Sequence, residues 1–327
     1  MLQRLLFFFG VLAIPLVAAA APPQILVYSA TAGYRHDSIP TAINALQEIA
    51  TNTSLYDPTF SEDENLFTPD QLAQFKAIVF LSNSDQVLTD SGETALTEWL
   101  GNGGVLVGLH SGNACLFNDT AFGTAMGAFF HRHPAIQNAT FIKVIDHEIV
   151  DMLPDRYTTY EEVYSHRSSP TSVNASILLS VDSNSYIDDD KDVNGSDGAY
   201  WEGTPHPIAW YRDANMNVDL SNGTGSGPWS NGRVFYTSLG HTNETWQSPL
   251  HLQHVEAGLR WALAEVSSTS TNATSSTPQT STAFTSSTAS PTATSMASAL
   301  RTLYTLRWTV AASIGATGFS LAASALW

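Results

Sequence analysis

The sequence predicts an α/β protein built on a mostly parallel sheet covered on both faces, a three-layer sandwich. Two observations predict it. Short continuous apolar runs of strand length recur along the chain, and amphipathic segments of helical period lie between them. The runs also end in loops rich in small residues, as strands do where a parallel sheet hands over to its helices.

Residues 24–30 (QILVYSA) form the first run and end in small residues. Pro40 then opens a segment in which Ile43, Leu46 and Ile49 fall at helical spacing. Residues 76–82 (KAIVFLS) read as a second buried strand. Asp90 followed by Glu93 resembles a capping box, and Leu96, Trp99 and Leu100 supply that helix with an apolar stripe. The helix ends at the glycines of 101–104, directly before the strand Val105-Leu106-Val107. Further runs at 139–145, 175–181, 207–212 and 233–239 extend the sheet, and a helix over 248–264 closes the domain. No internal repeat is visible.

The strand at 105–107 leads into Gly108-Leu109-His110-Ser111-Gly112. A strand followed by G-x-nucleophile-x-G is the elbow layout, in which small residues let a sharp turn lift one side chain above the sheet. Here the raised position holds His110. An imidazole ligates metal or moves protons but is a poor replacement for a cysteine or serine attacking an amide. Cys115, the only cysteine, lies five residues further on. A triad built on Ser111 or Ser29 remains an alternative, although neither occupies the elbow centre.

In parallel sheets the reactive loops gather beyond the carboxyl ends of the strands. That rule selects His36 after the first strand, His110 after the elbow strand, and His241 after the run at 233–239. With a carboxylate such as Glu162 they make a set for acid/base chemistry or for a divalent metal such as zinc, the candidate metal ligands being His36, His110 and His241. No dinucleotide fingerprint is present, so no nucleotide cofactor is expected.

Both ends are addressed to the secretory route. Residues 1–20 carry Arg4, an apolar core and a run of alanines, the sections of a signal peptide. Residues 267–298 are dominated by Ser, Thr, Ala and Pro, a stalk that cannot bury enough apolar surface to fold. Residues 299–327 end in an apolar tail, read as a GPI-attachment signal or as a retained tail anchor. The folded domain is then 21–266, and the chain is expected at the outer face of the plasma membrane or in the wall. Sequons begin at Asn52, Asn118, Asn138, Asn174, Asn194, Asn222, Asn243 and Asn272, a density that fits a surface glycoprotein. With one cysteine there is no intrachain disulfide, so stability must come from the core. A formal net charge of −17 argues against nucleic acid as a partner.

Weaker signals complete the reading. Asp190, Asp192, Asn194 and Gly195 mimic half a calcium loop, but Trp201 stands where its closing Glu belongs, so an acidic solvent loop is the better account. Trp210 lies in a strand and is assigned to packing, whereas Trp229 and Trp246 sit in polar loops and are candidate platforms for a sugar ring. The glycines of 223–227 precede no helix and read as a surface loop.

Several ordered pieces stand out: Ser29-Ala30-Thr31-Ala32-Gly33-Tyr34-Arg35-His36, the stretch from Gly103 to His110, and Phe130-His131-Arg132-His133-Pro134. Glu161-Glu162-Val163-Tyr164, Pro207-Ile208-Ala209-Trp210 and Gly232-Arg233-Val234-Phe235-Tyr236 with Gly240-His241 follow, and together they span about 24–263. In this order they resemble the ThuA-like (trehalose-utilisation) family of the class I glutamine amidotransferase-like superfamily. The resemblance implies a flavodoxin-like sheet and a link to sugar metabolism, without fixing a reaction. Because His110 replaces the amidotransferase cysteine, glutaminase activity is not expected. Glu161 departs mildly from an Asp-Glu-x-Tyr pattern and keeps the charge.

The expectation is therefore a surface protein acting on a carbohydrate or related small polar molecule by a hydrolytic or lyase-type step. His110, Glu162, His241 and His36 form its catalytic set, and His133 supports them. Arg35, Tyr34, Arg233, Tyr164 and Trp246 are the substrate-binding candidates. The alternative is a non-catalytic wall or glycan-binding module on the same fold. Oligomeric state is open.

Overall fold

A computed structural model describes residues 21–189, 203–214, 218–220, 229–230 and 232–264. The leader, the half calcium loop, the 223–227 loop, the stalk, the tail and the sequons at Asn194, Asn222 and Asn272 lie outside them.

The first half alternates strands and helices as expected. It runs β1 (Gln24–Tyr28), α1 (Ile39–Thr53), β2 (Asp57–Ser61), α2 (Pro69–Leu72), β3 (Ala77–Leu81), α3 (Asp90–Gly101), β4 (Val105–Leu109) and α4 (Thr120–Met126). The second half is strand-rich, with β5 (Phe130–Arg132), β6 (Gln137–Lys143), β7 (Arg156–Glu161), β8 (Ser165–His166) and β9 (Ser176–Val181). It ends with β10 (Pro207–Arg212), β11 (Val218–Asp219), β12 (Trp229–Ser230), β13 (Val234–Thr237) and α5 (Pro249–Leu263).

Among the described residues, nine strands form one sheet in the order β2-β1-β3-β4-β13-β10-β9-β6-β7. The five from β2 to β13 are parallel. The remaining four add by antiparallel pairing. Since the direction reverses at each of those steps, only β10 and β6 oppose the rest, and the sheet is mostly parallel by direction. β7 therefore ends on the same side as β1, β4 and β13. This brings Glu162 to the rim that carries the histidines.

Strand alternation divides the core in two. Ile25, Val27, Val79, Val105 and Val107 face α1 and α5, packing with Leu46, Ile49, Val255 and Leu259. Leu26, Tyr28, Ile78, Phe80 and Leu106 face the other way, against Leu72, Leu96, Phe122 and Met126 of α2, α3 and α4. Each fully buried aliphatic or aromatic side chain contributes about 1.5–3 kcal/mol by leaving water.

Two local expectations shift. Thr89, not Asp90, caps α3, its hydroxyl accepting from the Gly92 amide. Asp90 is the first helical residue, where its charge still favours the helix N-terminus. The run expected at 139–145 pairs over Gln137–Lys143, two residues earlier. Among the described residues no helix is long and apolar enough to cross a membrane.

Candidate functional site

The elbow is real in geometry. His110 begins a short 3-10 turn straight after β4 with φ 54°, a left-handed backbone that is uncommon for a residue with a side chain. Gly112 is required two residues on, because a Cβ there would lie 2.2 Å from the Phe80 carbonyl oxygen. The Tyr236 hydroxyl sits 2.9 Å from both the His110 carbonyl oxygen and Asn113 Oδ1, tying the turn to β13. His110 Nδ1 lies 2.8 Å from the Ser238 carbonyl oxygen. A carbonyl only accepts, so Nδ1 carries the proton and the Nε2 lone pair is left facing the site.

Three histidines meet there. His36 Nε2 is 3.0 Å from His110 Nε2, and the His36 and His241 ring centres are 5.1 Å apart. Glu162 joins them, with Oε2 3.1 Å from His241 Nδ1 and 3.6 Å from His110 Nε2. Its other oxygen, Oε1, is 3.2 Å from His133 Nε2, and the Tyr164 hydroxyl is 3.1 Å from His110 Nε2. Ser111 Oγ lies 3.5 Å from His36 Nδ1. One ligand atom from each of His36, His110, Glu162 and His241 lies within 4.8 Å of the others, so this group can hold a metal ion.

The surroundings set the charge states. Burial, then the neighbouring His241, pushes His36 down to about 4. Burial, then His36, holds His110 well below the usual histidine value. For Glu162 burial alone would act upward, but contact with His241 and the charge of His133 bring it below the usual carboxylate value. For His241 burial acts downward and is outweighed by Glu162, so it is raised. At neutral pH the site therefore holds an anionic Glu162, two neutral rings and one ring drawn towards its cation.

The substrate-binding candidates divide. Tyr164 is buried inside the cluster. Tyr34 is 65% exposed, with its ring edge-on to His36 at 4.7 Å, which places it at the mouth. Arg35 turns to Glu62 at 2.7 Å. Arg233 is a correction, since it precedes β13 and so lies at the opposite end of the sheet from the rim. There its guanidinium donates to the Trp261 and Ala264 carbonyls at the end of α5 and pairs with Asp213. Trp246 is a second correction. It is 1% exposed, and its Nε1 donates to the Gly240 carbonyl, so the ring belongs to the core and offers no face to a sugar.

Two residues escaped the sequence reading. Glu161 is wholly buried and accepts hydrogen bonds from the loop that carries His241. Tyr236 fixes the elbow. Neither has a sequence signal beyond lying within matched motifs, because burial of a lone carboxylate at a strand end depends on what folds over it. Of the sequon asparagines, Asn52, Asn118, Asn138 and Asn174 are exposed, and Asn243 is half-buried, its Oδ1 2.5 Å from Thr41 Oγ1.

The fold is a flavodoxin-like, mostly parallel α/β sheet with a histidine at the elbow and a His/Glu cluster on its carboxyl rim. The family model for ThuA, trehalose utilisation, matches residues 24–262, and the chain belongs to that family. A solved structure described as ThuA-like from Bacteroides uniformis is similar at 16% identity and TM-score 0.54, covering 76% of this chain and 95% of that one. Another from Parabacteroides merdae is similar at 18% identity and TM-score 0.52, covering 74% and 90%. At these identities the likeness bears on the fold alone. No curated protein matches the chain.

Proposed function

We propose that this chain is a cell-surface protein in which His36, His110, His241 and Glu162 hold a divalent cation, zinc by preference, and act on a sugar-derived or similar small polar molecule. The observation that carries the reading is the convergence of four ligand atoms within 4.8 Å in a buried rim site. The donor set fits. A tetrahedral zinc with nitrogen and oxygen ligands sets its donors about 3.3 Å apart, close to the 3.0, 3.1 and 3.6 Å separations here. Glu162 Oε2 and His241 Nδ1 are buried without an aligned hydrogen bond despite their closeness, as atoms aimed at a common centre would be. His110 is held in the ligating tautomer by Ser238.

When bound, such a cation supplies Lewis acidity to a carbonyl or hydroxyl oxygen. The chain's own groups do the rest. Glu162 accepts a proton or holds one between itself and His133. The Tyr164 hydroxyl offers a donor beside His110, and Tyr34 gives the mouth an aromatic wall for a sugar ring. A hydrolytic or lyase-type step suits these acid/base groups.

The leader at 1–20, the stalk at 267–298 and the tail at 299–327 support secretion and lipid anchoring, and the exposed sequon asparagines are compatible with a glycosylated surface. The test is metal analysis of protein purified without a histidine tag, paired with His110→Ala. The expected result is about one zinc per chain, lost in the variant together with turnover of an oxidised disaccharide. Absence of metal from the wild type would remove the cation and leave a metal-free acid/base site. Binding of glycan without turnover of any substrate would favour the non-catalytic module.

A further inference from the structure

The proposed cation site leaves a second carboxylate beside it unused. Glu161 ends β7 with no exposed surface. Its Oε1 accepts from the Gly240 amide at 2.9 Å, the His241 amide at 3.3 Å and the Thr245 hydroxyl at 2.6 Å. Its Oε2 accepts from the His241 and Glu162 amides, both at 3.3 Å. Every partner is a donor, and most belong to the short turn that follows β13.

That turn has a difficult shape. Gly240 has φ 132°, a backbone region that side-chain-bearing residues rarely adopt. The His241 side chain is 20% exposed while that of His110 is fully enclosed, so packing alone grips it less firmly. Buried amides aligned on a carboxylate make charge-assisted hydrogen bonds, which are stronger than neutral ones. Adjacent residues at a strand end point to opposite sides, which lets Glu161 face the turn while Glu162 faces the histidines.

We propose that Glu161 is a positioning residue: its carboxylate clamps the 240–245 turn and so holds His241 over Glu162. The zinc readout of this idea rests on the cation reading above, whereas the clamp itself does not.

The experiment uses the full chain and zinc chloride, with E161Q, T245V and T245S. The E161Q change turns an NH2 group towards amides that need an acceptor, and T245V removes the hydroxyl donor. Zinc affinity is measured by calorimetry, and amide hydrogen exchange across the metal-free protein is measured in parallel. The expected result is a fall in zinc affinity of about 10- to 100-fold in E161Q, a smaller fall in T245V, and wild-type binding in T245S. Exchange at Gly240 and His241 should accelerate, with β1, β3 and β4 unchanged. Faster exchange there with unaltered zinc affinity would overturn the proposal, as would acceleration spread evenly over the domain. If the wild type binds no zinc, the cation reading fails separately, and unchanged exchange at Gly240 and His241 would then overturn the clamp. Should E161Q not fold, the T245V and T245S pair decides.

Discussion

His110 adopts a backbone conformation that costs a non-glycine residue about 1–3 kcal/mol, and the surroundings hold it there. The Ser238 carbonyl accepts from its Nδ1, and the Tyr236 hydroxyl donates to its own carbonyl oxygen. What the strain achieves is an Nε2 lone pair raised above the sheet beside His36. Arg233 makes an instructive contrast, because both residues sit in matched motifs and only one reaches the rim. Arg233→Ala should lower stability by about 1–2 kcal/mol through the lost α5 carbonyl contacts, with metal content unchanged. Denaturant titration with metal analysis checks this, and loss of metal would return Arg233 to the site.

At the scale of elements, the elbow and the sheet edges behave differently. A Cβ on Gly112 would run into the Phe80 carbonyl, a backbone atom that cannot swing aside. Gly112→Ala should therefore displace the turn, lowering thermal stability and metal content together; a fully metallated variant with wild-type Tm would refute the close approach. The elements legible in the sequence were those with unbroken apolar runs or wide apolar stripes: β1, β3, β4, β9, β10, β13, α1, α3 and α5, with β6 displaced by two residues. β2 reads Asp-Pro-Thr-Phe-Ser at one sheet edge, and β7 reads Arg-Tyr-Thr-Thr-Tyr-Glu at the other. Edge strands bury little, so their composition carries little signal. The reversed directions of β10 and β6 were hidden for another reason: an apolar run does not record which way its neighbour points.

Across the whole molecule, acid sensitivity is built into several buried imidazoles. Burial lowers His251 to about 3 and His254 to about 4, with neighbouring His254 adding to the effect on His251. Burial also lowers His166 to about 3 and His36 to about 4. These values lie below the ordinary 6.5, so between about pH 6.5 and 4 the unfolded chain binds more protons than the folded one. Stability is therefore full above pH 6.5 and falls as pH drops through that window, each ring steepening the decline by up to about 1.4 kcal/mol per pH unit. Thermal melts should show it, and His251→Phe should flatten the slope; an unchanged slope would mean the ring is solvated. If the proposed lipid anchor is the tether, deleting residues 267–327 should release the protein from cells into the medium. A truncated protein that stays on the cell surface would overturn the anchor proposal.

The sequence by itself determined the α/β class, the ThuA-like resemblance and the three histidines worth bringing together, since these follow from local apolar pattern and short ordered motifs. Only the tertiary structure decided that β7 turns back to deliver Glu162, that Glu161 faces inward to the His241 turn, and that Trp246 and Arg233 belong to core and helix end. The physical reason is that pattern fixes what a segment buries, whereas the side of the sheet and the partner it meets depend on strand direction and crossing, which residues far apart in the chain settle jointly.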